Sequence, residues 1–179
     1  MKAAGKKAEQ MTSLSGNRIV SKTHGRIGFR GAIDTLEAEV IEAQVLASER
    51  GEGEYCENLG EILDLLRAIM AAEVKETPLP PPVLFGMDAE EIHRLSHQTG
   101  AKLPPLPSYT QGPLAARLNT LRARVREAEL LAVRVFGPHE GPHGTDPEEA
   151  GELPREDIIL ALNRLSSALW LLFCRYMRR

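Results

Sequence analysis

The feature that most constrains the fold is a long segment in which apolar residues recur at helical spacing. The stretch RLNTLRARVREAELLAVRVF covers residues 117–136. On a wheel with Leu118 at zero, its apolar side chains fall between about −80° and 0°. They are Leu114, Leu118, Leu121, Val125, Ala128, Ala132 and Phe136. This stripe predicts an amphipathic helix over residues 113–136 that buries one side in a protein core.

Charged residues flank this stripe, and three of them lie against its edge. Glu129, Arg122 and Arg126 fall near about +20°, +40° and +80°, whereas Arg117 and Arg124 fall well outside, as solvated charges should. A charge close to a core is costly unless it is paired or binds a charged ligand. The pattern therefore indicates a paired or ligand-binding role for the three residues at the edge.

Helical spacing of apolar residues recurs along most of the chain, and no segment alternates like a strand. A short helix is predicted between Asp88, a suitable N-cap, and Gly100. Proline-rich connectors at 77–83 and 102–113 interrupt the helical pattern. The long helices are predicted at residues 31–50, 55–75, 113–136 and from Pro154 to the C-terminus. The sequence thus predicts an all-α fold, a five-helix bundle with four long helices and one short helix.

The 179 residues are enough for one domain with a real core. Residues 1–19 are small, polar and locally basic, which predicts a flexible tail, and residues 20–179 form the helical domain. Within it, the Gly-, Pro- and acid-rich segment 137–153 is expected to be a mobile loop.

Composition limits the classes of partner. A net charge of −3 and only eight aromatic residues argue against nucleic acid. No apolar run reaches the roughly 18 residues of a membrane span, and no secretory signal precedes the domain. The two cysteines, Cys56 and Cys174, lack metal-ligand spacing. We therefore expect a cytoplasmic protein that binds neither membrane nor nucleic acid.

The first helix has a second apolar face. Asp34, Ile41 and Val45 share this face, away from the main stripe. A helix that is apolar on two sides contacts more than one neighbour, so we expect a homo-oligomer. Asp34 would then need a cation, and the arginines of residues 117–136 are candidates. The alternative is a solvated aspartate favoured by the helix dipole.

Several polar groups are candidates for ligand binding. The segment SKTHGRIGFRG (21–31) holds Lys22 and Arg26 beside a helix N-terminus, which suits phosphate. Asn163 flanks the apolar stripe of the last helix and could donate a hydrogen bond to a ligand. His93 and His97 are one turn apart, but further carboxylates that would complete a metal site are lacking, so no metal site is predicted.

Four stretches together resemble one protein family. RIGFRGAID, GMDAEEIHRLSHQ, RLNTLRARVREAE and ALNRLSSALW resemble, in this order, the corrinoid (cobalamin) adenosyltransferases, and most closely the ethanolamine-utilization type. The resemblance runs from about Val20 to the C-terminus. It implies a five-helix bundle, usually a homotrimer with ATP sites between subunits. It also implies the reaction of ATP with cob(I)alamin to give adenosylcobalamin and triphosphate, with Mg²⁺.

The resemblance also implies roles for residues of the 117–136 segment. Arg126 and Glu129 match the family's arginine and glutamate in the ATP site, with Arg126 as the catalytic cation. Arg122 matches an arginine that pairs with an aspartate of the next subunit, here Asp34.

Elsewhere in the chain, Asn163 and Lys22 match further nucleotide contacts, and the basic loop adds Arg26 to the expected ATP site. The segment 93–109 is expected to face the corrinoid, through His93, His97 and Tyr109. Such a protein would work with a corrinoid reductase and an adenosylcobalamin-dependent enzyme, in the cytoplasm or inside a bacterial microcompartment.

The chain departs from the family pattern at two places. Glu127 stands where distant members have another arginine, and the Thr/Gly-rich nucleotide loop of those members is absent. Members of the ethanolamine-utilization type carry an N-terminal metal-binding extension with a cysteine cluster. We expect this chain to lack that extension, and its lone Cys56 cannot replace the cluster.

Two other classes of function remain open on the sequence. One is a non-catalytic bundle that stores or delivers a nucleotide or corrinoid, and turnover distinguishes it from an enzyme. The other is a structural or interaction subunit of a microcompartment, with residues 1–19 as a targeting peptide. Deletion of that segment, followed by localisation, would test the latter.

Overall fold

The computed structural model describes residues 8–98, 106–137 and 154–178. Of these described residues 71% are helical, and the only sheet among them has two short strands. The elements in chain order are β1 (Met11–Ser15), β2 (Arg18–Ser21), α1 (Gly25–Glu49), α2 (Gly53–Lys75), α3 (Ala89–His97), α4 (Pro113–Phe136) and α5 (Glu156–Tyr176). The predicted all-α bundle with four long helices and one short helix is confirmed.

The four long helices form a ring in the order α1, α2, α5, α4, and α3 packs on the outside of α5. Their apolar stripes meet in one continuous core. Phe29 of α1 and Phe136 of α4 lie in an edge-to-face contact with centroids 5.1 Å apart, which closes one side of the core. Each fully buried large apolar side chain contributes about 1.5–3 kcal/mol, so the core accounts for most of the favourable free energy.

Two predicted helix boundaries need correction. α1 begins at Gly25 and not at residue 31, because Nδ1 of His24 accepts a hydrogen bond from the backbone N–H of Arg26 and caps an earlier turn. α5 begins at Glu156 and not at Pro154, since Arg155 is the N-cap residue, with a φ of −115° and a ψ of 60° that are not helical. α4 spans 113–136 as predicted.

The N-terminal segment differs from the prediction of a flexible tail without strands. Residues 11–21 form an antiparallel hairpin, and the turn between its strands places Gly16 at a φ of 51°, a conformation that suits glycine. Leu14 is almost completely buried, and Ser15 Oγ donates to Glu76 at the end of α2. The apolar alternation here is too short to stand out in the sequence. Residues 1–7, and 138–153 of the predicted mobile loop, lie outside the described residues.

The last helix is apolar enough to raise the question of a membrane. Among the described helices, only α5 has the length and composition of a span, with a mean hydropathy of 1.5 in its most apolar window. However, 56% of that window is buried inside the bundle, where α5 packs against α4, α3 and α2. Its apolar character is accounted for by its place in the core.

Candidate functional site

Helices α3, α4 and α5 enclose an open pocket of about 380 Å³. Its lining is polar and comes from all three helices. The lining residues are His93, Ser96, His97, Arg122, Arg126, Glu129, Asn163, Ser166, Ser167 and Trp170. The residues that the wheel placed at the core edge of the 113–136 helix therefore share this pocket with Asn163.

The exposure of the three charged α4 residues follows their angle from the stripe. Arg122 and Glu129, which lie nearer the stripe, are half-buried, whereas Arg126 is exposed. Arg126 makes no hydrogen bond or ion pair with the part of the chain that the structure describes. The pocket thus holds two guanidinium groups against one carboxylate, and this balance suits an anionic ligand.

The two arginines predicted to be solvated lie along the opposite edge of the stripe, toward α1. Nη2 of Arg117 is 3.1 Å from Oε2 of Glu42, and Nε of Arg124 is 3.3 Å from Oε1 of Glu39. Arg124 also pairs with Glu127 on its own helix. These arginines are therefore paired at the α1–α4 contact, and Arg124 does not line the pocket.

Asn163 links two walls of the pocket. Its Nδ2 donates to Oε1 of Glu129 at 2.8 Å, and its Oδ1 accepts from Nη1 of Arg164. The first bond crosses from α5 to α4 and fixes the Glu129 carboxylate at the pocket surface. Asn163 was predicted as a ligand contact from its position beside the stripe, and the structure places it beside both Glu129 and the cationic wall.

Trp170, which lines the pocket, is part of an aromatic stack. Trp170 lies nearly parallel to Phe173, with centroids 5.8 Å apart and planes 18° apart. The Arg122 guanidinium carbon lies over the indole, 5.2 Å from the ring centroid. Arg122 is therefore held by a cation–π contact and not by a carboxylate of its own protomer among the described residues.

Two of the three residues expected to face the corrinoid line the pocket. His93 and His97 are on α3, with ring centroids 4.5 Å apart in an edge-to-face arrangement. Tyr109 is outside the pocket lining and is 90% exposed. The geometry thus brings the histidine pair, but not Tyr109, to the cationic wall of α4.

Asp34 and Lys22 lie on α1 and just before it, outside the pocket. Both side chains are exposed and make no ion pair within the described ranges. Asp34 shares an outer face of α1 with Ile41 and Val45, which are 45% and 53% exposed. The second apolar face predicted for this helix is therefore uncovered in the single chain, and Asp34 and Arg122 do not pair within it.

Arg26 has a different environment from the one predicted. Its guanidinium is buried and donates through Nε to the Glu73 carboxylate, through Nη2 to the Glu73 carbonyl oxygen, and through Nη1 to Oε1 of Glu76. Arg30 donates to the second oxygen of Glu73. The bond from Arg26 holds the pKa of Glu76 below its ordinary value. These contacts leave Arg26 few donors for a nucleotide, so its role in the chain is to tie α1 to α2.

Comparison with known proteins identifies the family. Residues 4–176 match the model of the cobalamin adenosyltransferase family. The chain belongs to this family. It is 35% identical over 170 residues to the corrinoid adenosyltransferase EutT of Salmonella typhimurium (strain LT2). It is 34% identical over the same length to the corrinoid adenosyltransferase EutT of Escherichia coli (strain K12).

The match covers the two proteins unequally. It takes in 93% of this chain but 58% of each relative. The chain therefore spans little more than half the length of the curated adenosyltransferases that it matches.

Four residues of this pocket were not among the site residues predicted from the sequence. Ser96, Ser166, Ser167 and Trp170 line it beside the predicted residues. Trp170 lies seven residues after Asn163, and this separation returns to the same face of a helix after two turns. That spacing could have placed Trp170 beside Asn163 in the pocket. Tryptophan is apolar, however, so the sequence pattern favours a core position for Trp170.

Among residues 8–98, 106–137 and 154–178, no cluster of three or more His, Cys, Asp or Glu side chains is arranged to hold a metal ion. Cys174 is buried, and burial raises the pKa of its thiol. A raised pKa keeps the thiol protonated and a poor nucleophile at neutral pH.

Proposed function

We propose that the protein is an ATP:cob(I)alamin adenosyltransferase, which transfers the 5′-deoxyadenosyl group of ATP to the cobalt of a corrinoid. The observation that supports this most directly is Arg126, a cation without a partner in the described chain, at a pocket that also holds Glu129 and Asn163. Membership of the cobalamin adenosyltransferase family supplies the reaction class. The names of the two EutT relatives agree with it.

The reaction needs no nucleophile from the protein. Cob(I)alamin is the nucleophile, and its cobalt electron pair attacks the ribose C5′ of ATP. The Co–C bond forms as the C5′–O bond breaks, and the triphosphate leaves with the electron pair of that bond. Cobalt is formally oxidised from Co(I) to Co(III). The protein's tasks are to align the two substrates and to stabilise the charge that develops on the leaving triphosphate.

The pocket residues can divide these tasks. Arg126 has a planar fork of N–H donors that matches phosphate oxygens. Glu129 and Asn163 provide a carboxylate and an amide beside it, and such oxygens suit the Mg²⁺ that accompanies ATP. Lys22 lies outside the pocket of its own protomer, so in this proposal it reaches the nucleotide bound by a neighbouring subunit. His93 and His97, on the facing wall, would contact the corrinoid.

The proposal includes a homotrimer in which Asp34 of one subunit pairs with Arg122 of the next. Two observations support it. Asp34 lies on an exposed face of α1 with Ile41 and Val45, and a face of this kind favours burial against another subunit. Arg122 has no carboxylate partner within the described parts of its own chain.

The proposed reaction also requires two further proteins, one that supplies its substrate and one that uses its product. A reductase must supply Co(I), and an adenosylcobalamin-dependent enzyme must consume the product. We place all three in the cytoplasm, with a bacterial microcompartment as the narrower proposal.

One anaerobic experiment tests the proposed activity. Protein, MgATP and chemically reduced cobalamin are mixed, and the conversion of cob(I)alamin to adenosylcobalamin is followed by its absorption spectrum. We expect catalytic turnover and release of one triphosphate per adenosylcobalamin. Binding of either substrate without turnover would indicate a storage protein, and absence of both binding and turnover would favour a structural subunit. Arg126→Ala serves as the matched control for a reaction at this pocket.

A further inference from the structure

The contact between Arg122 and Trp170 is part of a longer chain of contacts. Phe173 is buried in the core, with 1% of its surface exposed, and Trp170 stacks on it. Trp170 in turn lies under the Arg122 guanidinium. Two aromatic rings thus connect the Arg122 guanidinium to the buried core. Arg126, one turn along α4, has no such contact in the described chain.

A cation held on an aromatic ring keeps most of its capacity for hydrogen bonds. The attraction arises from the electrostatics of the ring face and does not use the N–H groups as donors to oxygen. Arg122 makes no hydrogen bond or ion pair to another described residue. Its donors therefore remain available to an oxyanion from outside the protomer.

Holding the side chain in advance changes the free energy of association. A flexible arginine loses rotamer freedom when it forms an ion pair, and an arginine that is already restrained loses less. A ring that restrains Arg122 before assembly therefore strengthens an ion pair that Arg122 forms with another subunit.

We propose that Trp170 is a positioning residue for subunit assembly: its indole ring holds the Arg122 guanidinium ready for the carboxylate of Asp34 in a second copy of this chain. The inference rests on the proposed pairing of Asp34 with Arg122. It adds that the strength of the pairing depends on the electrostatics of the Trp170 ring, which acts through Arg122.

The test compares rings of different cation–π strength by sedimentation velocity over a range of protein concentrations. Trp170→Phe keeps an aromatic ring with a weaker electrostatic face, and Trp170→Leu removes the ring. We expect the subunit contact to weaken by about 2- to 30-fold in Trp170→Leu and by less in Trp170→Phe, as the loss of a cation–π contact predicts. Thermal unfolding of each variant checks that it folds.

The Arg122→Ala background separates positioning from packing. If the ring acts through the arginine, Trp170→Leu causes no further weakening once Arg122 is alanine. Equal weakening in both backgrounds would mean that the indole acts by packing, and the inference would be wrong.

Asp34→Ala separates failure of this inference from failure of the proposed assembly. If Asp34→Ala and Arg122→Ala both assemble like the wild type, the subunit pairing itself is wrong, and the role of Trp170 fails with it. If both weaken assembly but Trp170→Leu does not, only the positioning role fails. Adenosylation is measured separately with MgATP and cob(I)alamin, so loss or retention of activity does not enter this comparison.

Discussion

Asn163 on α5 donates a hydrogen bond from Nδ2 to Oε1 of Glu129 on α4, and the two atoms are 2.8 Å apart. The bond joins two walls of the pocket and orients a half-buried carboxylate at its surface. It also explains how a negative charge is tolerated at the edge of the apolar stripe, since a charged group there needs a polar partner. The site proposed for the triphosphate thus contains an acid whose position is set by a neighbouring amide.

Changing that amide to an acid should harm nucleotide binding more than removing it. Asn163→Asp places a second carboxylate against Glu129, and like charges at this distance repel each other and a phosphate. We expect MgATP affinity to fall by about 1–3 kcal/mol, and by less in Asn163→Ala. Isothermal titration calorimetry with MgATP measures both. Wild-type affinity in both variants would show that Asn163 does not adjoin the nucleotide, and equal losses in the two would contradict the charge argument.

Arg126 is the residue expected to matter most for the reaction. Arg126→Ala removes a charge-assisted contact to the leaving triphosphate, and we expect a loss of about 10² to 10³ in the rate of adenosylation, or about 2–4 kcal/mol. Arg126→Lys should recover only part, because lysine keeps the charge but lacks the planar fork. Anaerobic steady-state kinetics provide the measurement.

Arg124→Ala is the matched control for Arg126→Ala. Arg124 lies on the same helix and has the same charge, but it pairs with Glu39 and Glu127 away from the pocket. We expect an unchanged rate and only a small loss of stability, since the Arg124 side chain is exposed and ion pairs of exposed groups contribute little. If Arg124→Ala slows the reaction as much as Arg126→Ala, the arginines of α4 act as a diffuse field and not as a defined site.

Reversal of both charges tests the pairing between Asp34 and Arg122. Asp34→Arg or Arg122→Asp alone should weaken the trimer, and the double reversal should restore part of the loss. Coupling energies for contacting residues are about 0.5–3 kcal/mol. Light scattering over a dilution series gives the association constants, and a cycle without coupling would exclude the pair.

The buried Glu73 should be a major determinant of stability. It lies between Arg26 and Arg30 with none of its side chain exposed. Glu73→Ala leaves two largely buried guanidinium groups without this counter-charge, which costs about 3–5 kcal/mol. At about 2–4 °C per kcal/mol for a domain of this size, Tm should fall by roughly 6–20 °C.

Glu76 is the control for the effect of burial at Glu73, since it forms an ion pair with the same Arg26 but is partly exposed. Glu76→Ala should cost no more than about 1 kcal/mol. Calorimetric unfolding of both variants tests the difference, and similar Tm values would contradict the importance of burial.

Asp157 predicts a defined pH dependence of stability. Burial of its carboxyl would raise its pKa, but hydrogen bonds from Arg155 and from the N–H groups of Leu79 and Ile158 outweigh this and lower the pKa below the ordinary value. A lowered pKa in the folded state contributes stability at neutral pH, and this stability is lost as pH falls below about 4, the unfolded value, and through the folded pKa.

Asp157→Asn provides the measurement of that contribution. The variant should be about 1–3 kcal/mol less stable at neutral pH because Arg155 loses its charged partner. The difference from the wild type in the free energy of unfolding should shrink steadily in urea titrations between about pH 5 and pH 2. A difference that is constant with pH would show that the carboxylate charge does not stabilise the fold.

The sequence was sufficient for the features that depend on local periodicity. The stripe from Leu114 to Phe136 gave the limits of α4, and its wheel ranked Glu129, Arg122 and Arg126 beside the core. The second face of α1, with Ile41 and Val45, was predicted in the same way. These predictions succeeded because an α-helix converts residue spacing directly into direction, without reference to the rest of the chain.

Which neighbour lies at each edge of a helix was decided only by the tertiary structure. One edge of α4 meets glutamates of α1, so Arg124 is paired, and the other edge faces the pocket, so Arg126 is available to a ligand. The sequence predicts Arg26 as a phosphate ligand, whereas the fold brings Glu73, 47 residues away in the chain, into hydrogen-bond contact with it. Residue spacing gives the direction of a side chain around the axis of its helix. The partner that lies in that direction depends on how the helices pack, because contacts between distant residues leave no periodic signal in the sequence.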